Sequence, residues 1–162
     1  MIAKAATISH GGNAVRYSVN KDKAEIVKVN FLPDDISAEA MYQRMVLKQK
    51  EFASTINKGR PLKRNVIRME ISPTKEESAG WTLDDWVRLA NEYIQIFDSI
   101  DLSKKAKRAS AKCTNVRNSQ YIVALHHDAK SGIPHLHIDV NRVDMNGKVN
   151  DDHLIAERAM SV

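Results

Sequence analysis

The sequence predicts an α+β domain: a mainly antiparallel sheet of about five strands with packed helices. Three observations carry this. Short apolar runs with period-two alternation recur between Gly, Pro and Asn turn signals. Two longer stretches place apolar residues at helical spacing behind Ser or Thr caps. The last two alternating runs are joined by a short loop containing Ser131-Gly132 and Pro134, which suits an antiparallel hairpin. A chain of 162 residues is one domain by length.

In chain order, Ile2 to Ser9 reads as a first strand. Gly11-Gly12 breaks it, and Asn13 is placed to cap a short helix through about Val19. Glu25 to Leu32 alternates as a second strand, ended by Pro33-Asp34-Asp35. Ser37 caps a longer helix running to about Asn57, with Met41, Met45, Phe52 and Ile56 on one side. Gly59-Arg60-Pro61 ends it, and Asn65 to Ser72 is a third strand stopped by Pro73. Thr82, with Asp85 three residues on, resembles a capping box, flanked by Trp81 and Trp86 as a hydrophobic staple. Leu89, Ala90, Tyr93, Phe97 and Ile100 then form an apolar face that reads as core. Leu102 to Asn118 is polar and basic, a helix tail or an arm. Gln120 to His127 and His135 to Val143 are the final strands, and His153 to Met160 begins another helix. The chain stops inside that helix, so a truncated fragment of a longer protein is expected.

The single cysteine, Cys113, rules out an internal disulfide framework and favours a reducing compartment. No apolar run approaches the ~18 residues of a membrane helix, so no membrane insertion is expected. The formal net charge of +5 matters less than its distribution. Ser103 through His127 holds Lys104, Lys105, Lys107, Arg108, Lys112 and Arg117 without one acidic residue. Arg44 through Arg68 carries eight cations against Glu51 alone. Such clusters suit a phosphate backbone, although solvated faces would look the same.

Four of the six histidines fall in His126-His127-Asp128 and Pro134-His135-Leu136-His137. Alternation puts His135, His137, Asp139 and Asn141 on one face of their strand. Two imidazoles there, joined by a third from the neighbouring strand, can bind a divalent metal. A lone strand histidine is usually structural. Three at this spacing are harder to explain as packing, because each buried imidazole needs a partner and a metal gives all of them one. Alternation leaves open whether His126 or His127 is the third ligand, since a bulge exchanges their faces. Asp128 fits a group that orients a ligand ring, and Asp139 could do the same or help hold the metal.

The run from Val123 to Asp128, then Pro134-His135-Leu136-His137, then Asn141-Arg142, resembles the metal motif of MobA/MobL-type relaxases, mobilization nucleases of the HUH (His, hydrophobic, His) superfamily. His126 and Asp128 fill its His-x-Asp, His135 and His137 its pair, and Asn141 and Arg142 its end. Ala14 through Lys23 is similar to the first motif, which carries the nucleophilic tyrosine, here Tyr17. Met69 through Pro73 resembles the middle strand. The loop from Asp128 to Pro134 is about two residues longer than in many relatives, and Asp139 stands where an apolar residue is common.

The resemblance implies a relaxase palm and a single nuclease domain over 1–162. It implies metal-assisted nicking of single-stranded or melted origin-of-transfer DNA, with Mg or Mn held by His126, His135 and His137. Tyr17 would form a covalent 5′-phosphotyrosyl link, with Asp128 assisting. It further implies accessory relaxosome proteins, a coupling protein and a bacterial cytoplasm. Arg142, Asn141, Lys104, Lys105, Lys107 and Arg108 are the expected DNA contacts. Tyr121 is the reserve nucleophile, since Tyr42 and Tyr93 lie on predicted helices. Two other readings remain: an HUH replication initiator or transposase, in which the tyrosine usually follows the histidine pair, and a non-catalytic nucleic-acid-binding module with a structural metal. A structural zinc site normally closes with four ligands, often cysteines, and only Cys113 is present.

Overall fold

A computed structural model describes all residues 1–162. The order is β1 (Ile2–Ile8), α1 (Gly11–Asn20), β2 (Glu25–Asn30), α2 (Ala38–Glu51), β3 (Val66–Ser72), α3 (Leu83–Ser99), α4 (Ser103–Ala106), β4 (Tyr121–His126), β5 (His135–Asn141) and α5 (Ile155–Met160), with short 3-10 turns between. The strands form one sheet in the order β1-β3-β5-β4-β2, and every neighbouring pair is antiparallel. The expected α+β class and the terminal hairpin are both present.

Strand parity divides the molecule. Ile67, Met69 and Ile71, Val123 and Leu125, and Leu136, Ile138 and Val140 pack against Trp86, Tyr93 and Phe97 of α3 and Ile155 and Ala159 of α5. The opposite parity faces α1 and α2, where Val15, Met41, Met45, Val66 and Ile122 form a smaller core. The same face carries His126, His135, His137, Asp139 and Asn141. Both β4 and β5 are buried along their whole length, so polar residues there need internal partners.

The caps behave as their chemistry requires. The Ser37 side chain accepts from the Ala40 N–H, and Thr82 with Asp85 makes the complete capping box. Trp81 meets Trp86 edge to face, with centroids 4.9 Å apart. The first helix differs from expectation. It begins at Gly11, before Asn13, and His10 supplies no side-chain cap. Its start is set by packing instead, since a Cβ at Gly11 would collide with Val66. The second helix ends at Glu51 instead of Asn57. Thr55 Oγ1 donates to the Phe52 carbonyl, and Asn57, Lys58 and Gly59 all adopt positive φ. Phe52 and Ile56 are therefore half-buried beyond the helix.

Asn141 ties the two layers together. Its Nδ2 donates to the Met45 carbonyl at 3.1 Å and to Gln120 Oε1 at 3.0 Å. Its Oδ1 accepts from Gln49 Nε2 at 2.9 Å and from the Val143 N–H at 3.1 Å. Truncating this side chain orphans several buried groups at once. Asn141→Ala should lower unfolding stability by about 3 kcal/mol in urea titration. A change below about 0.5 kcal/mol would remove the side chain from this account.

Candidate active site

The hairpin register sets His126 opposite His135 and Ala124 opposite His137. The three imidazoles meet on the α1 side. Their ring centroids lie 4.2 Å (His126–His137), 4.9 Å (His135–His137) and 5.6 Å (His126–His135) apart. One nitrogen from each can be chosen so that all lie within 4.8 Å of one another. His127 turns away and is exposed, with Nε2 3.8 Å from Glu25, so His126 is the hairpin's contribution to the cluster.

Two backbone carbonyls assign the ring protons. His126 Nε2 lies 2.8 Å from the Ser18 carbonyl, which can only accept, so Nε2 carries the hydrogen and Nδ1 a lone pair. His135 Nδ1 lies 3.3 Å from the Ile133 carbonyl, which leaves its Nε2 as the lone-pair atom. Burial lowers the pKa of His126, and burial together with the neighbouring imidazoles pushes His137 down to about 3. Neutral rings are the ligand form. His126 Nδ1 and His137 Nδ1 are buried without any hydrogen-bond partner, the incomplete environment that a cation would complete. The donor set fits a divalent metal with open positions for another ligand.

Tyr17 lies beside this cluster. The Ser18 carbonyl that holds His126 and the buried Val15 fix α1 against the sheet. The Tyr17 ring centroid is thereby placed 5.5 Å from His126 and 5.6 Å from His137. At 41% exposure it is the only one of the four tyrosines among the exposed large side chains, whereas Tyr121 is 3% exposed. Lys21 Nζ sits 5.1 Å from the Tyr17 ring and pairs with Asp128 at 3.2 Å. That hydrogen-bonded ion pair lowers the Asp128 pKa and raises that of Lys21. Asp128 is also 3.9 Å from His126 Nδ1. Tyr17, Asp128, His135 and His137 line an open groove of about 430 Å³, together with Arg68 and Glu70.

Arg68 is the residue that sequence reasoning passed over. Its guanidinium carbon lies 5.3 Å from the Tyr17 ring centroid, and it stands opposite Asp139 in the β3–β5 register. It forms no ion pair with any carboxylate. Its parity with Val66 and Glu70 was the available signal.

Several expected roles need correction. Asp139 lies outside the histidine cluster, fully buried, with neither carboxylate oxygen hydrogen-bonded. Burial raises its pKa to about 6, while Ser18 and Arg68 act in the opposite direction. Asn141 has no exposed surface and its amide is consumed internally, so it braces the sheet and does not reach a DNA surface. Arg142 is occupied by the carbonyls of Asn150 and Arg64 and by Asp152 at 3.1 Å. Lys104, Lys105, Lys107 and Arg108 belong to α4 and the turn after it. Lys105 pairs with Glu157 of α5 and Arg108 with Asp151, on the side of the sheet away from Tyr17. Position along the chain could not reveal which side of the sheet this basic stretch would occupy.

A family model described as Relaxase: MobA/VirD2-like, nuclease domain matches residues 15–162. Comparison with curated proteins gives no match.

Two outcomes follow from the site. Titration of the protein with Mn²⁺ should raise its Tm, and His137→Ala should weaken metal binding by about 10-fold or more in calorimetry. Equal affinity in the variant would remove His137 from the centre. Asp139→Asn should stabilise the metal-free protein at pH 8. A carboxyl raised from 3.8 to about 6 opposes folding once ionised, and that penalty is absent when both states are protonated. The gain should be on the order of 3 kcal/mol at pH 8 and fade toward pH 4 in urea titrations. A gain independent of pH would contradict the assignment.

Proposed function

The chain belongs to the MobA/VirD2-like relaxases, matching their nuclease domain from residue 15 to residue 162, and we propose on that premise that it nicks one strand of origin-of-transfer DNA by tyrosine transesterification. One observation carries this reading: the exposed Tyr17 ring stands within 5.6 Å of two rings of an otherwise buried histidine cluster. A tyrosine that served only packing would gain nothing from that exposure.

His126, His135 and His137 would hold Mg or Mn. Such a cation, when bound, offsets charge on the scissile phosphate and helps align it. The protein's own groups supply the rest. The Tyr17 oxygen attacks phosphorus in line, the bond from phosphorus to the 3′ oxygen breaks, and the 3′ oxygen leaves with a proton as a hydroxyl. The DNA 5′ phosphate remains on Tyr17 as a diester, so the bond energy is kept and a 3′ hydroxyl can reverse the step. Asp128, held ionised by Lys21, is the carboxylate at the groove edge that can accept the phenolic proton. Lys21 and Arg68 flank the ring and offset negative charge that develops on the attacking oxygen and the phosphate.

The substrate of this reading is single-stranded or melted origin DNA. Accessory relaxosome proteins and a coupling protein would act with it in a bacterial cytoplasm. No helix is long and apolar enough to cross a membrane. The nucleophile precedes the histidine pair in the chain, which favours mobilization over the replication initiator or transposase reading.

Incubation with Mn²⁺ and an origin oligonucleotide should give a denaturation-resistant adduct that maps to Tyr17. Tyr17→Phe should remove the adduct while retaining oligonucleotide binding. An undiminished adduct in that variant would place the nucleophile elsewhere.

A further inference from the structure

A second cavity, of about 440 Å³, opens between α2 and the turn-rich stretch that leads into β3. It lies on the α1–α2 side of the sheet, beyond the opposite end of α1 from Tyr17. We propose that it seats a nucleobase of the bound DNA strand, as a base-reading subsite remote from the reacting atoms. This rests on the DNA-nicking reading above and extends it.

Its size falls in the range of small-ligand pockets. The walls include Val46, Ile56 and Leu62, an apolar lining suited to the faces of a base. Tyr42 and Asn65 supply polar edges. Asn65 Nδ2 donates to the Tyr42 hydroxyl oxygen at 3.1 Å, and the Tyr42 proton has no acceptor within the protein. That leaves the hydroxyl free to donate to an acceptor on a base. The cavity is preformed: Gln49 bonds the Asn65 carbonyl at 3.2 Å and Asn141 at 2.9 Å, so little ordering cost falls on binding.

The charge around the mouth selects a polyanion. Lys50 and Arg60 line the cavity, no acidic residue does, and Phe52 through Arg68 contains no carboxylate. None of Lys50, Lys58, Arg60, Lys63 and Arg64 is held in an ion pair. These cations are free to meet phosphates on either side of a seated base. The spacing is compatible with one strand serving both sites. Asn141, which contacts the cavity's Gln49, is four residues from His137 on β5, or about 13 Å at ~3.3 Å per residue. That span is about four nucleotides at the ~3.4 Å spacing of a stacked strand.

The test uses fluorescence anisotropy without divalent metal, so that no cleavage intervenes. The probes are the homopolymers dA20, dC20 and dT20 and an abasic deoxyribose-phosphate chain of equal length. At least one homopolymer should bind about 10-fold more tightly than the abasic chain. Leu62→Trp, which fills the cavity, should cut that preference to about 2-fold while leaving abasic binding unchanged. Ile56→Phe, a milder filling, should reduce it in the same direction should Leu62→Trp fold poorly. Arg60→Ala should weaken all probes alike and reduce the salt slope by about one. An unchanged preference in both filled variants overturns the subsite. Competition by a 20-residue poly-glutamate as strong as that of the best homopolymer would mark a general anion patch and overturn it too. Adduct formation at Tyr17 is a separate readout: its failure sinks the nicking reading alone, and loss of base preference sinks the subsite alone.

Discussion

The hydrogen bond from His126 Nε2 to the Ser18 carbonyl is the constraint on which the site depends. It fixes which nitrogen of His126 is left with a lone pair. It also holds the last turn of α1 against the end of β4. Tyr17 is the residue before Ser18, so the same bond that settles the tautomer of one cluster member sets the phenol over the cluster. Ser18 lies in the last turn of the helix, where a carbonyl has no N–H partner within the helix and is free to accept from His126, while the neighbouring Tyr17 side chain stays exposed. Successive helical side chains are turned through about 100°.

Around this contact the polar interior is unevenly satisfied, and the unevenness is informative. Asn141 uses both amide atoms and joins β5 to α2. Two residues earlier, Asp139 uses neither oxygen, and the Ser18 hydroxyl beside it is likewise unbonded. Along buried β5, the unbonded polar atoms are therefore confined to Asp139 and His137, between a fully bonded Asn141 and a His135 held by the Ile133 carbonyl. Packing is complete where the strand only holds the fold. Polar capacity is left over at His137, which lines the groove, as expected of a surface built to receive something else.

Much of this was legible in the sequence, for reasons that can be named. Strand parity needs only the order of residues, so it placed His135 and His137 on one face and Leu136 and Ile138 on the other. The caps at Ser37 and Thr82 are local chemistry and were readable as such. What was not legible depends on partners distant in the chain. Whether His126 or His127 turns inward depends on a register with His135 that alternation alone cannot set. Asn141 looked like a surface amide until Gln49, 92 positions away in sequence, was beside it. The basic stretch at Lys104 to Arg108 could have lain on either layer, and Arg158 of α5, which bonds the Phe97, Ile100 and Ala111 carbonyls, draws it to the far one. Arg68 was visible only as one of several residues of the right parity.

The strand order has a consequence for how the molecule comes to exist. The two N-terminal strands end up on opposite edges, and β2 pairs with β4 through partners such as Glu25 and Leu125. Only the β4–β5 hairpin is local. High contact order of this kind slows folding, because distant loops must close before their pairings reward them. On a ribosome, β1, α1 and β2 emerge long before the strands that accept them. Tyr17 and the imidazoles therefore cannot meet until the centre of the sheet has been synthesised, and the reactive constellation is assembled only as the topology closes.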